Sequence, residues 1–301
     1  MVNNFSKPRT RAFSSAELIL AIVILLVVAA ILFPVFARAR ERARQVSCLS
    51  NEKELALGII QYCQDYDGRF PCGTHPAPLQ SIPAGWAGQI YPYMLSSNEY
   101  KCPDDPTVPD AGEPYLLPIS YAYNSNVGYV AERQRKIGKA ALLINSAKNS
   151  DLTLPARTVL FCEIEDATCD IQNLHGAEVS SPSVVGGVPV LLSNIDGDVT
   201  SMRYATGILR SDPASAVVVG KSYGNATALT GRHNDGSNFV LADGHAKWLK
   251  PSSVSAGLTN NISSKDCTAG QGLLPAGKAG PGYAAGTGCS DTAIAATFSI
   301  K

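Results

Sequence analysis

The longest apolar segment of the chain runs from Leu18 to Phe36 and contains no charged residue. A helix of this length, at about 1.5 Å per residue, spans roughly 28 Å, which is close to the thickness of a bilayer core. Lys7, Arg9 and Arg11 precede the segment. Because basic residues tend to stay on the cytoplasmic side, the pattern predicts a transmembrane helix with the bulk of the protein outside the cytoplasm.

The polar segment after this span keeps a helical pattern with one apolar stripe. Its members recur at spacings of three, four or seven residues and are Val46, Leu49, Ala56, Ile60 and Cys63. Gly68 is a typical residue just past a helix end. The pattern predicts a single helix from about Ser14 to Tyr66, about 80 Å long, with its second half packed on a globular head. Pro34 is expected to kink it.

The rest of the chain shows strand-like runs separated by turn residues. These runs are ISYAYN, RTVLFCEIE, VVGGVPVLL, SNFVLA and HAKWL. Residues 71–118 are rich in Pro and Gly and indicate an ordered connecting loop, and residues 251–301 indicate a loosely attached tail. We therefore predict an α+β fold, in which a long N-terminal helix packs on an antiparallel β-sheet head with large loops.

Glu17 is a carboxylate at the head of the apolar run. A signal peptide ending at 37–39, or a plain uncleaved anchor, would leave it without a partner. If the chain were cut between Ala12 and Phe13, the new amine of Phe13 would lie one helical turn from Glu17. An ammonium and a carboxylate could then pair within one subunit or between stacked subunits, and such a pair sets register.

The stretch TRAFSSAEL resembles the processing site of type IV pilins and type II secretion pseudopilins. The resemblance implies a leader of residues 1–12, removed by a prepilin peptidase between Ala12 and Phe13, and N-methylation of Phe13. It implies that Glu17 is needed for assembly and that the helix melts near Pro34 during assembly. The family usually has Gly before the cut and FTLIE after it, whereas this chain has Ala12 and FSSAE.

Two Asp-Gly turns flank a short strand in RHNDGSNFVLADGHAKWL. Four side chains there could converge on a calcium or zinc ion, although tight turns alone explain both aspartates: His233, Asp235, Asp243 and His245. The spacing of His233, Asp243 and Gly244 resembles the H-X9-DG segment of a large branch of exported pilin-like proteins. Further phrases of that branch are FPVFARARERARQVSCLSN, YCQDYDGRFP, YKCPDD, SYAYN and PARTVLF.

Eight cysteines in an exported chain indicate disulfides, and many pairings are open. Pairing between cysteines that are close in sequence predicts the bonds Cys63–Cys72, Cys162–Cys169 and Cys267–Cys289. The two remaining cysteines would then form Cys48–Cys102. The chain carries 25 basic and 25 acidic residues, so charge gives no sign of a nucleic-acid partner. It lacks the serine-hydrolase elbow, the P-loop, the dinucleotide fingerprint and H-E-x-x-H, and we expect no enzyme and no obligatory cofactor.

The resemblance implies the domain plan 1–12 leader, 13–66 helix with 13–36 in the membrane, 67–250 head and 251–301 tail. It implies a subunit that waits in the bacterial inner membrane with its head outside. That subunit would then self-assemble into a helical filament, on the surface or in the periplasm, with pilus or type II secretion machinery as partner. The alternative is a monomeric, membrane-anchored exported domain with a metal- or ligand-binding His/Asp hairpin.

Overall fold

The computed structural model describes residues 14–71, 85–109, 112, 116–128, 146–169, 171, 183–185, 188–189, 203–206, 209, 231–255 and 295–300. The chain divides into two compact units, residues 1–43 and residues 44–301. The leader, Ala12, Phe13, Cys72, Cys267 and Cys289 lie outside the described residues.

Helices and strands follow the predicted order. The α-helices are α1 (Ser15–Asp65), α2 (Gly85–Ile90) and α3 (Ser125–Gly128), and single 3-10 turns cover Tyr91–Tyr93, Ser97–Tyr100, Asn149–Asp151 and Pro251–Ser253. The strands are β1 (Leu117–Pro118), β2 (Tyr121–Asn124), β3 (Val159–Glu165), β4 (Thr168–Cys169), β5 (Ser183–Val185), β6 (Val188–Pro189), β7 (Arg203–Tyr204), β8 (Ser237–Leu241), β9 (Ala246–Leu249), β10 (Val254–Ser255) and β11 (Ala296–Thr297).

In the first unit, α1 begins with a reciprocal cap. The backbone N–H of Ser14 donates to Glu17 Oε2 at 2.9 Å, and the backbone N–H of Glu17 lies 3.3 Å from Ser14 Oγ. This is a capping box, which satisfies two of the free N–H groups at a helix start. The helix continues through Pro34 without ending there. Its apolar side chains are exposed on all sides, Phe33 by 74%.

In the second unit, the last turns of α1 pack on the head through a face that overlaps the predicted stripe in part, at Ala56 and Cys63. The buried residues are Gln45, Cys48, Glu52, Leu55, Ala56, Gly58, Ile59 and Cys63. Val46, which was placed in the stripe, is 59% exposed. The predicted stripe is therefore only partly correct, because Gln45 and Glu52 also occupy the buried face and an apolar pattern cannot reveal polar residues.

The end of α1 has the predicted stop. Asp67 and Gly68 have positive φ angles of 53° and 74°, and the N–H of Gly68 donates to the carbonyl of Cys63 at 2.8 Å. A bond of this span with a left-handed residue closes a helix by the Schellman arrangement.

The main sheet of the head has the order β6-β5-β2-β3-β8-β9, with β7 also paired to β3. Its pairs are antiparallel except β2 with β5, which is parallel. Strand β3 is central, and its residues are buried except for Glu165. The α+β prediction is therefore confirmed. The sequence did not indicate the parallel pairs, which are β2 with β5 in this sheet and β10 with β11 outside it.

The core of the head contains an aromatic cluster around Trp86. Its ring lies 4.7 Å from Phe161 and 6.0 Å from both Tyr100 and Tyr123, measured between ring centroids. All four side chains are fully buried. They join α2, β2 and β3 into one hydrophobic core.

The end of the chain belongs to this core, which corrects the expectation of a loosely attached tail for residues 295–300. Strand β11 pairs with β10, and Phe298 and Ile300 are buried. Asn124 Nδ2 donates to the carbonyl of Phe298 at 3.0 Å. A short apolar strand after a long Gly- and Ala-rich segment is easily overlooked, because only its partner strand identifies it.

Candidate functional site

The first candidate site is the head of α1, where Glu17 is the capping carboxylate of Ser14. The signature S-x-x-E before an apolar run indicates this cap directly, although the predictions above do not include it. The cap gives Glu17 a structural role that requires no second subunit. Ala12 and Phe13, which form the expected cleavage site, lie outside the described residues.

The apolar first half of α1 is the part of the chain that could enter a membrane or pack against other subunits. Among the described residues, α1 is the one helix long and apolar enough to cross a bilayer, and none of its most apolar stretch is buried. A helix that is apolar all round requires lipid or other protein around it. This feature is compatible with a membrane anchor and with a signal sequence alike.

The second candidate site is a buried polar cluster under α1, built around His233. The ring of His233 is fully buried, and its Nε2 lies 3.0 Å from Glu163 Oε1 on β3. Its Nδ1 lies 3.9 Å from Asp104 Oδ2. Trp248 Nε1 donates to the carbonyl of His233 at 2.7 Å, which holds the backbone of this residue against β9.

Glu163 is the most heavily bonded carboxylate of the cluster. Asn238 donates to it twice, from its backbone N–H at 3.0 Å and from Nδ2 at 3.1 Å, and Ser237 Oγ donates a further hydrogen bond. Burial by itself would raise the pKa of Glu163. Hydrogen bonding and charge from His233, together with the positive charge of Arg232 and the Ser237 bond, lower that pKa below its ordinary value. Glu163 is therefore held as an anion.

Glu52 is a second buried carboxyl, on the face of α1 that covers the cluster. Neither of its side-chain oxygens has a hydrogen-bond partner. Burial, followed by the negative charge of Glu163, raises its pKa well above the ordinary value, and the positive charge of Arg232 opposes this in part. The pKa values of the two carboxyls are thus shifted in opposite directions. Glu163 is favoured in its ionised form and Glu52 in its neutral form.

A disulfide between Cys48 and Cys102 adjoins the same cluster and joins α1 to the segment before β1. This bond is the fourth of the predicted pairings, and it is confirmed. Cys162 and Cys169 carry thiols rather than the expected bond, because Cys162 lies within the main sheet whereas Cys169 lies on β4 beside β1. Cys63 is also a buried thiol, and its expected partner, Cys72, lies outside the described residues.

The four proposed metal ligands of the hairpin do not come together. His233 is buried and faces Glu163, whereas His245 is exposed and its Nδ1 lies 2.9 Å from Asp243 Oδ2. Asp235 is exposed in the turn before β8, with a positive φ of 64°. The strand between the two turns therefore separates an inward histidine from an outward one.

The residues of the H-X9-DG motif instead attach the β8–β9 hairpin to its neighbours. His233 contacts β3 through Glu163. Gly244 has a φ of +86°, and a Cβ placed on it would lie 2.9 Å from Ile60 Cδ1 of α1. Asp243 Oδ1 accepts a hydrogen bond from the N–H of His245 at 3.0 Å, which fixes the turn. The motif thus seats one hairpin between the sheet and the helix.

Part of the chain matches a known protein family. Residues 37–134 match the model of a family described as Protein of unknown function (DUF1559). The matched third of the chain holds the second half of α1, both cysteines of the disulfide and strand β2. No curated protein and no solved structure matches the chain. The match agrees with a pilin-like exported protein and assigns no activity.

Proposed function

We propose that this chain is a structural subunit of a type IV pilus or of a type II secretion pseudopilus. A prepilin peptidase cuts it between Ala12 and Phe13 and methylates the new amine of Phe13. The subunit waits in the inner membrane with its head outside, and it then polymerises through α1. The observation that carries the proposal is an apolar helix exposed on all sides with one carboxylate, Glu17, at its head.

The compact, disulfide-bonded head supports a role as a structural subunit. Its core, its disulfide and its buried ionic cluster all lie in the unit formed by residues 44–301. The cluster is closed to macromolecules, since His233, Glu163 and Cys102 are fully buried. The alternative of a hairpin metal site loses its support, because its four residues do not converge.

The capping box makes a sharp test of Glu17 possible. Glu17→Gln keeps the capping interaction, since Gln also serves at this position, but removes the negative charge. Glu17→Ala removes both. If Glu17 acts only as a cap, Gln should assemble normally; if it pairs with a methylated amine, both variants should fail to assemble.

The measurement is the amount of sheared or secreted filament per cell, in cells that supply a prepilin peptidase and an assembly machinery. Glu54→Gln is the matched control, because Glu54 is an exposed glutamate of the same helix. We expect wild type and Glu54→Gln to form equal amounts of filament. Glu17→Gln should form none, and the unassembled variant should remain in the membrane. Filaments from Glu17→Gln would contradict the proposal.

A further inference from the structure

We propose that the reduced head binds one zinc ion through Cys48, Cys102, His233 and Glu163, and that formation of the Cys48–Cys102 disulfide expels the ion. The four ligating atoms of these residues lie within 4.8 Å of one another, and all four residues are fully buried. This donor set of two sulfurs, one imidazole and one carboxylate is of the kind that Zn²⁺ prefers. The inference does not depend on the proposed function.

The distances fit a tetrahedral site once the disulfide is open. With zinc bonds of about 2.0 Å to N and O and about 2.3 Å to S, ligating atoms are separated by about 3.3 to 3.8 Å. In the oxidised head, Nε2 of His233 lies 3.0 Å from Oε1 of Glu163 and 3.8 Å from Sγ of Cys102. These pairs thus need to move by only a few tenths of an ångström.

The distance between the two sulfurs must change most. The sulfurs of Cys48 and Cys102 are bonded at 2.00 Å, and zinc would require a separation of about 3.8 Å between them. Reduction itself produces much of this movement, because two thiols that are no longer bonded cannot remain at bonding distance. The disulfide and the zinc site are therefore mutually exclusive states of the same four residues.

The groups around the site orient its ligands as metal-site partners do. Glu163 is fixed by Ser237 and Asn238, and Asp104 lies 3.9 Å from the other ring nitrogen of His233. At this distance the Asp104 carboxylate acts on Nδ1 through charge rather than through a hydrogen bond, and it favours a proton on Nδ1, which leaves Nε2 to face the metal. Two thiolates, one carboxylate and Zn²⁺ leave a net charge of −1, and the guanidinium of Arg232 interacts favourably with Glu163.

The zinc-bound reduced head and the metal-free oxidised head interconvert by steps that balance in atoms and electrons. When zinc binds the reduced head, the two thiols lose their protons to solvent, and the proton on Nε2 of His233 that faces Glu163 is also given up, either to solvent from a charged ring or to Nδ1 in a neutral one. Zn²⁺ then binds the two thiolates, the free Nε2 and the Glu163 carboxylate. On oxidation by a small-molecule disulfide, the two thiolates form the Cys48–Cys102 bond, the small disulfide accepts two electrons and becomes two thiolates, and Zn²⁺ leaves. A reducing compartment thus favours the zinc form, and an oxidising one favours the disulfide.

The test uses the full chain in mild detergent, oxidised or reduced with a phosphine, stripped of metal by a chelator and then given zinc alone. Elemental analysis counts zinc per chain. We expect one more equivalent in the reduced form than in the oxidised form. The double variant Cys48→Ser/Cys102→Ser should lose that equivalent under reducing conditions, whereas Cys63→Ser, which removes a buried thiol elsewhere, should keep it.

A second readout avoids dependence on the folding of the double variant. Cobalt replaces zinc in the reduced wild-type chain, and we expect a thiolate-to-cobalt charge-transfer absorption with the visible bands of tetrahedral cobalt. Adding a small-molecule disulfide should remove these bands in step with the Cys48–Cys102 peptide detected by mass spectrometry. Equal zinc in both redox forms, absence of the thiolate band, or loss of the band in step with another cysteine pair would overturn the inference.

Discussion

Replacing Glu163 by Gln tests whether the buried anion organises the head. Each of its oxygens has two donors in contact: Oε1 faces His233 and Asn238 Nδ2, and Oε2 faces Ser237 and the backbone N–H of Asn238. A glutamine amide has one oxygen and one NH₂ group. Whichever way the amide turns, its NH₂ group meets two groups that donate to Glu163. The Ser237 hydroxyl can rotate and the His233 ring can present an unprotonated nitrogen, so at least one hydrogen bond, the one from Asn238, is lost.

The size of the effect follows from these lost bonds. A hydrogen bond to a charged group contributes about 1.5 to 3 kcal/mol, so the loss of at least one lowers the free energy of unfolding by at least that amount. The substitution changes almost no volume, and cavity formation therefore adds nothing. Loss of the negative charge should also lower the pKa of Glu52, because Glu163 is one cause of its rise.

The assay is urea unfolding of the full chain in mild detergent, followed by tryptophan fluorescence. Trp86 is fully buried in the aromatic core and Trp248 lies beside His233, so both report on the head. Glu54→Gln, an exposed change on α1, should stay within about 0.5 kcal/mol of wild type. A loss below about 1 kcal/mol for Glu163→Gln would refute the reasoning from paired donors.

Three further predictions concern the same head. Gly236→Ala should lower stability by about 2 to 4 kcal/mol in urea unfolding, since its Cβ would lie 2.5 Å from the Trp248 ring; a loss below about 1 kcal/mol would contradict it. Glu52→Gln should stabilise the head by about 1 to 3 kcal/mol at pH 7, because burial raises the pKa of Glu52 and disfavours its charged form. A carboxyl with a raised pKa in the folded state contributes stability below its unfolded pKa, and this contribution is lost as pH rises. The gain in stability from Glu52→Gln should therefore be smaller at pH 4 than at pH 7. An equal gain at both pH values would contradict this. Burial raises the pKa of Cys63 from 9.0 to about 12, so stability should fall between these pH values as the unfolded thiol loses its proton first. Unfolding midpoints of Cys63→Ala should fall less steeply above pH 9.0 than those of wild type, and identical slopes would contradict the assignment.

The elements of the fold were predictable because their signals are local. The helix from Ser15 to Asp65 follows from apolar periodicity and a glycine stop, and the five predicted strand runs all contain strands. The buried face of α1 was predictable only in part: Ala56 and Cys63 follow from the apolar pattern, whereas Gln45 and Glu52 are buried for reasons that arise only in the packed head.

The cluster around His233 was out of reach for a similar reason. The sequence singled out His233 through its motif, but its partner Glu163 lies on β3, and only the pairing of β3 with β8 brings the two together. Nothing in the local pattern distinguishes Glu163 from a surface glutamate. The cap at Glu17 is the opposite case, since its S-x-x-E signal is local and was available.

The most direct test of the central proposal is the N-terminal residue and mass of the chain recovered from cells that express a prepilin peptidase. The proposal predicts a mature chain that begins with N-methyl-Phe13. A chain that keeps Met1, or one cut after Ala39, would contradict it, because Glu17 would then have no methylated amine with which to pair.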